Sequence, residues 1–444
     1  MCLLVFWTGS LAHSAFPPES NPSKFWMRVL LSAYACRPNA GSEPGVGWNW
    51  ATHLAARGIE VHALVAKRNE EPIKAGLRVN PIANLHCTYV PVPYEWAEKS
   101  EALHYVCWQA AALKAAKELA SEFQFQLAHH VTYASVHVPS QLWRLGIPVV
   151  FGPVGGGQTA PPSMLPYFGA EKYRERLRSS LTRALGLSPF HKQWLRRMSF
   201  VLAANRDTLN MVQALGCKNA SLMCDTAIPV DYFAEAPRNF VERSGALRLL
   251  WVGRMLTRKA LPLALDALQE VHKNVTLTIA GDGTDPQTVH QMVRDRSLQQ
   301  RVFWKGSRLT YTELRTAYAE HDAMLFTSLR DSFGSQVLEA MAMGLPIITV
   351  DLHGAHDWVP DGASLKVPVA CPEETVRNLA GAIEKYASLS RLSRNQMSMH
   401  AWNFAKTQSW SARAEFCERL YQEVLSRDAA LESASASKVA AVGI

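Results

Sequence analysis

The sequence lacks the cysteine spacing that marks a metal finger or a disulfide scaffold. It has eight cysteines in 444 residues, and none of them forms a C-x-x-C pair. Scattered cysteines of this kind are typical of a reduced cytoplasmic protein, so we expect neither disulfides nor a structural zinc site. No apolar run approaches the roughly 18 residues that a membrane-spanning helix needs. These absences predict a cytoplasmic chain.

The sequence also lacks the usual signatures of dinucleotide and nucleic-acid binding. No G-x-G-x-x-G fingerprint is present, so a dinucleotide is not expected and no cofactor is predicted. The net charge of +8 favours anionic partners such as nucleotide phosphates or an acidic membrane surface. Because no RNA- or DNA-binding motif accompanies that charge, nucleic acid is not predicted as a partner.

What the sequence does contain is an alternation of strand-like and helical runs. Hydrophobic residues make up 48% and charged residues 19%, which is normal for a globular chain of two or three domains. Apolar runs such as 29–33, 60–65, 248–253 and 275–280 are separated by helical stretches such as 101–121. The pattern predicts an α/β protein with two Rossmann-like domains that face each other across a cleft.

Composition also predicts where the domains begin and end. Met27 opens a strand-like run, and residues 225–244 are loop-like. The tail is rich in alanine and serine, which favours disorder. The predicted divisions are a disordered extension at 1–26, a first domain at 27–228, a second domain at 245–408, a final helix at 409–427 and a disordered tail at 428–444.

The most informative stretch of the chain runs from Asp331 to Pro346. It lies between two strand-like runs, and its residues from Ser335 onward have helical composition. Asp331 therefore precedes a helix and Glu339 lies inside it, at the carboxyl end of a strand, where open α/β sheets bind ligands. Two carboxylates that accept hydroxyl hydrogen bonds, beside a helix N-terminus that favours anions, predict a pocket for a sugar attached to a phosphate.

A second motif follows the first strand of the second half. Gly253 ends that strand, and Arg254 and Lys259 follow in one loop. A planar guanidinium and an ammonium delivered to one place predict a diphosphate clamp. Two solvated cations in a surface loop are the alternative. Gly281 and Gly283 end the next strand, where they favour either close approach of a nucleotide or a simple tight turn.

Two glycine-rich loops of the first half are candidates for ligand contact. Gly41 and Ser42 lie between the first strand and a helix, where backbone N–H groups can face a phosphate across the cleft. The loop of Gly155, Gly156, Gly157 and Gln158 follows the fifth strand. Three consecutive glycines lose much conformational entropy on folding, which favours a ligand-facing loop over a mere turn.

Two further features leave their alternatives open. His129 and His130 end a strand pattern, where one of them is a base or both are hydrogen-bonded structural histidines. No spacing supports a metal site there. Residues 172–197 mix cations with apolar side chains. This segment either lies on anionic lipid or an anionic acceptor, or is a solvated helix face.

Taken together, these residues resemble the family 4 retaining glycosyltransferases, in the group 1 glycosyl transferases. The resemblance rests on Arg254 and Lys259, on the pair Asp331 and Glu339 eight positions apart, and on the Glu-Ala-Met-Ala-x-Gly-x-Pro run that begins at Glu339. It covers most of Met27 to residue 426. It implies a GT-B fold in which the first domain binds the acceptor, the second binds the nucleotide sugar, and the last helix crosses back to the first domain.

The resemblance also implies roles for single residues. Glu339 would hold the ribose diol of the nucleotide, and Arg254 and Lys259 would neutralise the leaving diphosphate. The donor site would include Gly41, Ser42, Gly253, Gly281 and Gly283, and the acceptor site would include Gly155, Gly156, Gly157 and Gln158.

The donor sugar itself would be held at the start of the helix. Asp331 would bind its hydroxyls together with the backbone at Phe333 and Gly334. No metal is implied, and no D-x-D motif is present. The implied reaction moves a sugar from a nucleotide-diphosphate sugar to a hydroxyl acceptor, with a lipid-linked or surface-polysaccharide intermediate suggested by the basic segment.

Two departures from the family pattern affect these expectations. Asp331 stands where the family usually has glutamate, and Pro153 to Gly155 stand where many members have a histidine. His129 or His130 would then replace that histidine. The alternatives are a different GT-B enzyme, a non-catalytic nucleotide-sugar-binding subunit of a polysaccharide assembly complex, and a peripheral membrane scaffold on the inner face of the membrane.

Overall fold

The computed structural model describes residues 27–241, 245–281, 283, 286–306 and 309–442. The predicted extension at 1–26 lies outside the described residues. Apolar, often β-branched runs form the strands, and nearly every strand residue of the sheet centres is buried, as expected for parallel sheets covered on both faces.

The first sheet has seven parallel strands in the order β3-β2-β1-β4-β5-β6-β7. The order reverses between β1 and β4, which pair from Val29 with Leu127 to Ser32 with His130. The strands are β1 Arg28–Ser32, β2 Glu60–Ala66, β3 Leu85–Val90, β4 Leu127–His130, β5 Val149–Val154, β6 Phe200–Ala203 and β7 Ala220–Leu222.

The second sheet has six parallel strands in the order β10-β9-β8-β11-β12-β13. Its order reverses between β8 and β11, so ligands are expected beyond the carboxyl ends of these two strands. The strands are β8 Leu247–Val252, β9 Val275–Ala280, β10 Val302–Trp304, β11 Ala323–Phe326, β12 Ile347–Val350 and β13 Ser364–Val367.

Helices connect the strands and cover both faces of each sheet, which confirms the predicted pair of Rossmann-like domains facing each other across a cleft. Helices are expected between the strands because parallel strands can be joined only by a crossover connection. The helices are α1 Ser42–Ala56, α2 Glu70–Val79, α3 Glu101–Glu122, α4 Lys172–Leu185, α5 Pro189–Leu195, α6 Arg206–Ala214, α7 Leu261–Gln269, α8 Pro286–Asp295, α9 Tyr311–Glu320, α10 Ser335–Ala342, α11 His353–Trp358, α12 Pro372–Ser388, α13 Arg391–Thr407 and α14 Trp410–Val442.

Each domain contributes a segment to the other domain's core. A 3-10 segment, Pro162–Glu171, leaves the first domain and buries Met164 and Phe168 among the side chains of α7 and β8. In the other direction α14 buries Trp410 and Tyr421 against β1 and β4 of the first sheet. The two cores are therefore interlocked.

The end of the chain differs from the sequence expectation. We predicted a helix to residue 427 followed by a disordered tail at 428–444, whereas the structure continues α14 through Val442. Alanine has the highest helix propensity of all residues, and the tail is rich in it. The alanine- and serine-rich composition that favours disorder is therefore also compatible with a longer helix in this segment.

Candidate functional site

A cavity of about 320 Å³ lies between the two domains. The first domain lines it with the start of α1 and with the loop after β5, and the second domain lines it with the loop after β11. Both contributing edges are carboxyl ends of parallel strands, where the backbone leaves the sheet and side chains are free to face a ligand. We refer to it as the inner cavity.

Asp331 lies at the centre of the inner cavity and is held by two cations. Its Oδ1 accepts a hydrogen bond from Arg258 at 3.1 Å, and its Oδ2 is ion-paired with Lys259. Ser328 Oγ also lies 3.3 Å from Oδ2. Burial alone would raise the pKa of the Asp331 carboxyl, but the charges of Lys259 and Arg258 hold it below its usual value. Asp331 is therefore ionised and rigidly placed.

Lys259 and Arg254 are close to each other but differ in environment. Lys259 is only 8% exposed, and burial lowers its pKa, with the charge of Asp331 acting in the opposite direction. Arg254 is exposed, yet it lies near enough to lower the pKa of Lys259 further. The loop thus combines one buried and one accessible cation. Arg258, which the sequence reasoning missed, is the additional cation between them.

Glu339 lies inside α10, which begins at Ser335 directly after Phe333 and Gly334. Its carboxylate accepts a hydrogen bond from the Tyr318 hydroxyl at 3.2 Å. Burial raises the pKa of Glu339 to about 6. Its charge is close enough to affect the ionisation of Tyr232, whose buried hydroxyl has no hydrogen-bond partner among the described residues. Glu339 and Tyr232 do not line the inner cavity, but this part of the second domain contains a carboxylate and, near it, a buried phenol hydroxyl without a partner among the described residues.

Backbone contacts explain the glycines at the ends of β8 and β9. Gly253 has a φ of +156° and donates its N–H to Ala280 at 3.1 Å. A Cβ on Gly281 would lie 1.9 Å from the Gly253 carbonyl oxygen. Gly283 has a φ of +107°, a left-handed conformation that favours glycine. These contacts account for the first two glycines by close chain packing, so the tight-turn alternative is sufficient there.

The glycine loop after β5 contacts the second domain directly. Gln158 donates a hydrogen bond from Nε2 to Ser332 Oγ at 3.0 Å, and its Oε1 accepts one from the Gly156 N–H at 3.0 Å. A Cβ on Gly155 would lie 2.5 Å from Ser332 Oγ, and one on Gly157 would lie 2.6 Å from the backbone of Thr208. The loop therefore brings the predicted acceptor residues beside the Asp331 loop.

The start of α1 contributes Glu43, another residue that the sequence reasoning left out of the site. Gly41 and Ser42 are exposed at the N-terminus of α1, and they do not line the inner cavity, whereas Glu43 does. Glu43 accepts a hydrogen bond from the Tyr133 N–H at 3.0 Å. Burial raises the pKa of Glu43 above its usual range.

Asp225 is a further cavity residue that looked like part of a linker in the sequence. It follows β7 and lines the inner cavity with Asp331 and Glu43. Its Oδ1 is buried without a hydrogen-bond partner among the described residues. Burial raises the pKa of Asp225 to about 8, with the charges of Asp331 and Glu43 adding to the effect. Asp225 is therefore mostly protonated at neutral pH.

The histidine pair does not lie in the cleft, which corrects the expectation that His129 or His130 acts as a base. His129 Nε2 donates to the Gly152 carbonyl at 2.7 Å and its Nδ1 accepts from the Tyr421 hydroxyl at 2.6 Å. His130 is held by Ser32 and Tyr105, each at 2.9 Å. Both rings are fully buried, and burial lowers their pKa values to about 4 and about 3.

Two other features lie at the opposite, amino ends of the strands. Among the described residues, one group of three, Glu60, His62 and His86, has ligand atoms close enough together for a metal. Arg28 already engages both carboxylate oxygens of Glu60, at 2.7 and 3.1 Å. A larger depression of about 770 Å³ lies near Asp322. Neither feature adjoins the cleft.

No helix in the described part of the chain is both long enough and apolar enough to cross a bilayer.

Comparison with known proteins identifies the second domain. Residues 246–388 match the family model described as "Glycosyl transferases group 1". The chain is 33% identical over 144 residues to glycogen synthase of Mycobacterium tuberculosis, which covers 32% of this chain and 34% of that protein. The chain thus matches only about a third of that relative's length. The matched region contains Arg254, Lys259, Asp331 and Glu339.

Comparison with solved structures concerns the whole fold. Sucrose-phosphate synthase from Thermosynechococcus elongatus superposes with a TM-score of 0.64 at 17% identity, over 90% of this chain and 100% of that chain. Anabaena Alr3699/HepE, solved in complex with UDP and glucose, superposes with a TM-score of 0.56 at 15% identity, over 89% and 99% of the two chains. The chain therefore has the GT-B fold in both domains.

Proposed function

We propose that the protein is a metal-independent retaining glycosyltransferase of family 4 that moves a sugar from a nucleotide-diphosphate sugar to a hydroxyl acceptor. The observation that carries the proposal is the ion-pair cluster of Asp331, Arg258 and Lys259 at the switch point of the second sheet, in which Asp331 and Arg258 line the inner cavity and Lys259 is buried beside Asp331. The group 1 match of the second domain and the UDP held by a protein of the same fold support it.

The cations would act on the charge that develops during the reaction. As the bond between the sugar and the phosphate breaks, negative charge builds on the leaving diphosphate while the sugar becomes oxocarbenium-like. Arg254 and Lys259 would stabilise that charge, and Arg258 would add to the same field. Fixed charges at the position of a developing anion lower the barrier because they need no reorganisation during the step.

The carboxylates would position the donor. Ionised Asp331 accepts hydrogen bonds from sugar hydroxyls, and the N-terminus of α10 after Gly334 favours the nearby phosphate. Glu339 would accept both hydroxyls of the ribose. The acceptor hydroxyl would attack from the face that the diphosphate leaves and pass its proton to that phosphate. The buried histidines take no part in this step, because both ring nitrogens of each are engaged inside the first domain.

The acceptor would lie on the first domain, beside Gly155, Gly156 and Gln158, with Glu43 and Asp225 facing its hydroxyls. The basic stretch at 172–197 supports an acceptor carried at an anionic membrane surface. A cytoplasmic enzyme that reaches the inner face of the membrane would fit this arrangement. The acceptor would be a lipid-linked or surface-polysaccharide intermediate.

A thermal-shift screen tests the donor site. Wild type and Glu339→Ala would be screened against UDP, GDP, ADP, dTDP and their common sugars. A ligand at a hundred times its Kd stabilises the folded state by about 2.7 kcal/mol. We expect one nucleotide to stabilise the wild type and not the variant. If no nucleotide stabilises the wild type, the proposal fails.

Turnover is tested with the donor found in that screen. Arg254→Ala and Lys259→Ala should each lower the rate of donor consumption by about 10²–10³-fold. Unchanged turnover in both variants would contradict the mechanism. Binding of the nucleotide without any turnover in the wild type would instead identify a non-catalytic nucleotide-sugar-binding subunit.

A further inference from the structure

Helix α4 separates two adjoining cavities that share Arg178. On its inner side Arg178 lines the inner cavity with Arg258 and Arg330. On its outer side the same residue lines a second cavity of about 290 Å³ with His137, Arg174, Leu177 and Leu181. We call this second space the outer cavity. One arginine thus lies where a polar compartment meets an apolar one.

The inner side of Arg178 is a site for an anion. Arg258 is compensated by Asp331 at 3.1 Å, and Arg330 by Glu175 at 2.6 Å. For Arg178, no carboxylate lies within ion-pair distance in the described part of the chain, and its nearest hydrogen-bond acceptor is the Gln158 carbonyl at 3.4 Å. Burial lowers the pKa of Arg178 to about 10, the charges of Arg330 and Arg258 contribute, and the charge of Glu175 acts in the opposite direction.

The crowding of cations has a direct consequence. Arg258 and Arg330 keep their carboxylate partners, whereas Arg178 has no ion pair of its own among the described residues, and its partial burial removes part of the water that would solvate it. A bound anion would relieve both effects, and a guanidinium is well shaped for phosphate. Arg178, which has no ion-pair partner among the described residues, is therefore the cation of this cavity that is best placed to receive an anionic group of a ligand.

The outer side of the helix is apolar and open. Leu177 is 61% exposed and Leu181 is 56% exposed, and they lie one turn apart on the face that lines the outer cavity. Tyr173, one turn before Leu177, is also largely exposed. Large apolar side chains presented in a row by a basic helix match an alkyl chain that continues from an anionic group.

We propose that the inner and outer cavities form one binding site for an alkyl phosphate, with the phosphate at Arg178 and the chain along Leu177 and Leu181. The assignment rests on the proposed function, in which this ligand is the lipid-linked part of the acceptor. The phosphate is then held beside Gln158 and Arg330, and the attached hydroxyl-bearing group reaches Asp225 and Glu43 in the same cavity.

Three small probes test the site by isothermal titration calorimetry, each below its micelle concentration. The first, n-decyl phosphate, carries both an anion and an alkyl chain. Methyl phosphate carries the anion without a long alkyl chain, and n-decyl β-glucoside carries the alkyl chain without an anion. We expect n-decyl phosphate to bind wild type at least about tenfold more tightly than either of the others. The proposal would be overturned if n-decyl phosphate bound no more tightly than methyl phosphate, or no more tightly than n-decyl β-glucoside.

Variants separate the two halves of the site. Arg178→Gln should weaken n-decyl phosphate by about tenfold or more, whereas Arg178→Lys, which keeps the charge, should weaken it by about threefold or less. Arg176→Gln removes the same charge from the exposed side of α4 and is the matched control. Equal losses in Arg176→Gln and Arg178→Gln would contradict a specific anion site, since they would reflect net charge alone.

The part of the site that would hold the alkyl chain is tested by the double variant Leu177→Ser/Leu181→Ser. It should weaken n-decyl phosphate and leave methyl phosphate unchanged. The control is Leu392→Ser/Met399→Ser, which removes two exposed apolar side chains from α13 of the second domain. An unchanged affinity for n-decyl phosphate in the α4 double variant would overturn the proposal.

Nucleotide binding distinguishes this proposal from the proposed function. The Leu177→Ser/Leu181→Ser variant should retain the wild-type thermal shift with the nucleotide, because these two side chains line the outer cavity and not the inner one. A wild type that binds n-decyl phosphate as described but no nucleotide refutes the transferase and keeps the alkyl-phosphate site. A wild type that binds the nucleotide but not n-decyl phosphate refutes this inference alone.

Discussion

At the scale of single residues, Arg258 links Asp331 to the loop that also carries Arg254 and Lys259. It donates to Asp331 at 3.1 Å and to the Arg330 carbonyl at 3.3 Å. Arg258→Gln should therefore leave Asp331 held by Lys259 alone and lower donor turnover by about 10²-fold, while Arg258→Lys keeps part of the field and loses less. The rate of donor consumption at saturating donor measures this, and equal rates in wild type and Arg258→Gln would refute a role for Arg258.

Asp225 predicts a pH dependence of stability. Its folded-state pKa of about 8 lies above the ordinary value of 3.8, so the folded state holds a proton that the unfolded state has lost. Stability from this group is complete below about pH 4 and is lost as the pH rises to about 8. Asp225→Asn should melt higher than wild type at pH 8, by about 3 °C or more.

The same comparison at pH 4 should give a much smaller difference, because the folded state is then protonated at this position and the unfolded state is close to its midpoint of 3.8. Glu122→Gln, which changes an exposed carboxyl at the end of α3, is the control and should leave the melting temperature unchanged at both pH values. If Asp225→Asn melts below wild type at pH 8, Asp225 is ionised and stabilising in the folded state.

Glu339 predicts a pH dependence of nucleotide affinity. Burial raises its pKa to about 6, and only the ionised form accepts hydrogen bonds from both ribose hydroxyls. Nucleotide affinity should therefore fall by about tenfold between pH 7 and pH 5. At pH 5, one unit below its pKa, the carboxyl is only about 10% ionised. The Kd measured at the two pH values should differ in wild type and be nearly equal in Glu339→Gln.

Sequence reasoning found the residues that belong to a motif and missed those whose role depends on the other domain. Asp331, Lys259 and Glu339 follow strands at fixed spacings, so local patterns predict their positions. Asp225 faces the cavity only because two domains meet there, whereas Arg178 belongs to the basic segment for which the sequence predicts either an anionic lipid or acceptor contact or a solvated helix face. His129 and His130 were predicted at the correct strand end, but their contacts with Tyr421 and Tyr105 come from distant parts of the chain.

At the scale of the elements, α14 anchors the first domain through Tyr421. Its hydroxyl donates to His129 Nδ1 at 2.6 Å inside the buried cluster of the first sheet. Tyr421→Phe leaves that buried nitrogen without a partner and should reduce the free energy of unfolding by about 1–3 kcal/mol. Urea unfolding measures this, with the exposed Tyr173→Phe as control. Equal losses in both variants would contradict it.

Most strands were predictable because long apolar runs between turn residues have few other interpretations. The elements that were missed carry weaker signals. β7 has only three residues, and all of them are partly exposed. α13 buries mainly Met397, Ser398, Ala401 and Ala405, so small and polar side chains replace the apolar stripe that usually reveals a helix. Its burial depends on packing against α10, which a local pattern does not contain.

At the scale of the whole molecule, the cleft couples both domains to one ligand. Gln158 of the first domain bonds Ser332, the neighbour of Asp331. A nucleotide that engages the Asp331 loop should therefore protect amides on both sides of the cleft from hydrogen exchange. We expect slower exchange at 254–259 and also at 155–158. The protection should be absent in Glu339→Ala, and protection confined to the second domain would contradict the coupling.

The interlocked cores described above limit how this chain can be divided. Met164 and Phe168 complete the interior of the second domain, and Trp410 and Tyr421 complete that of the first. Neither half of the sequence contains all the side chains of its own interior, so a cut at the linker leaves both pieces with exposed apolar surfaces. The two domains should accordingly melt in one calorimetric transition, and a chimaera that takes its second domain from a related transferase requires the exchange of two segments, 162–171 and 245–408, rather than one.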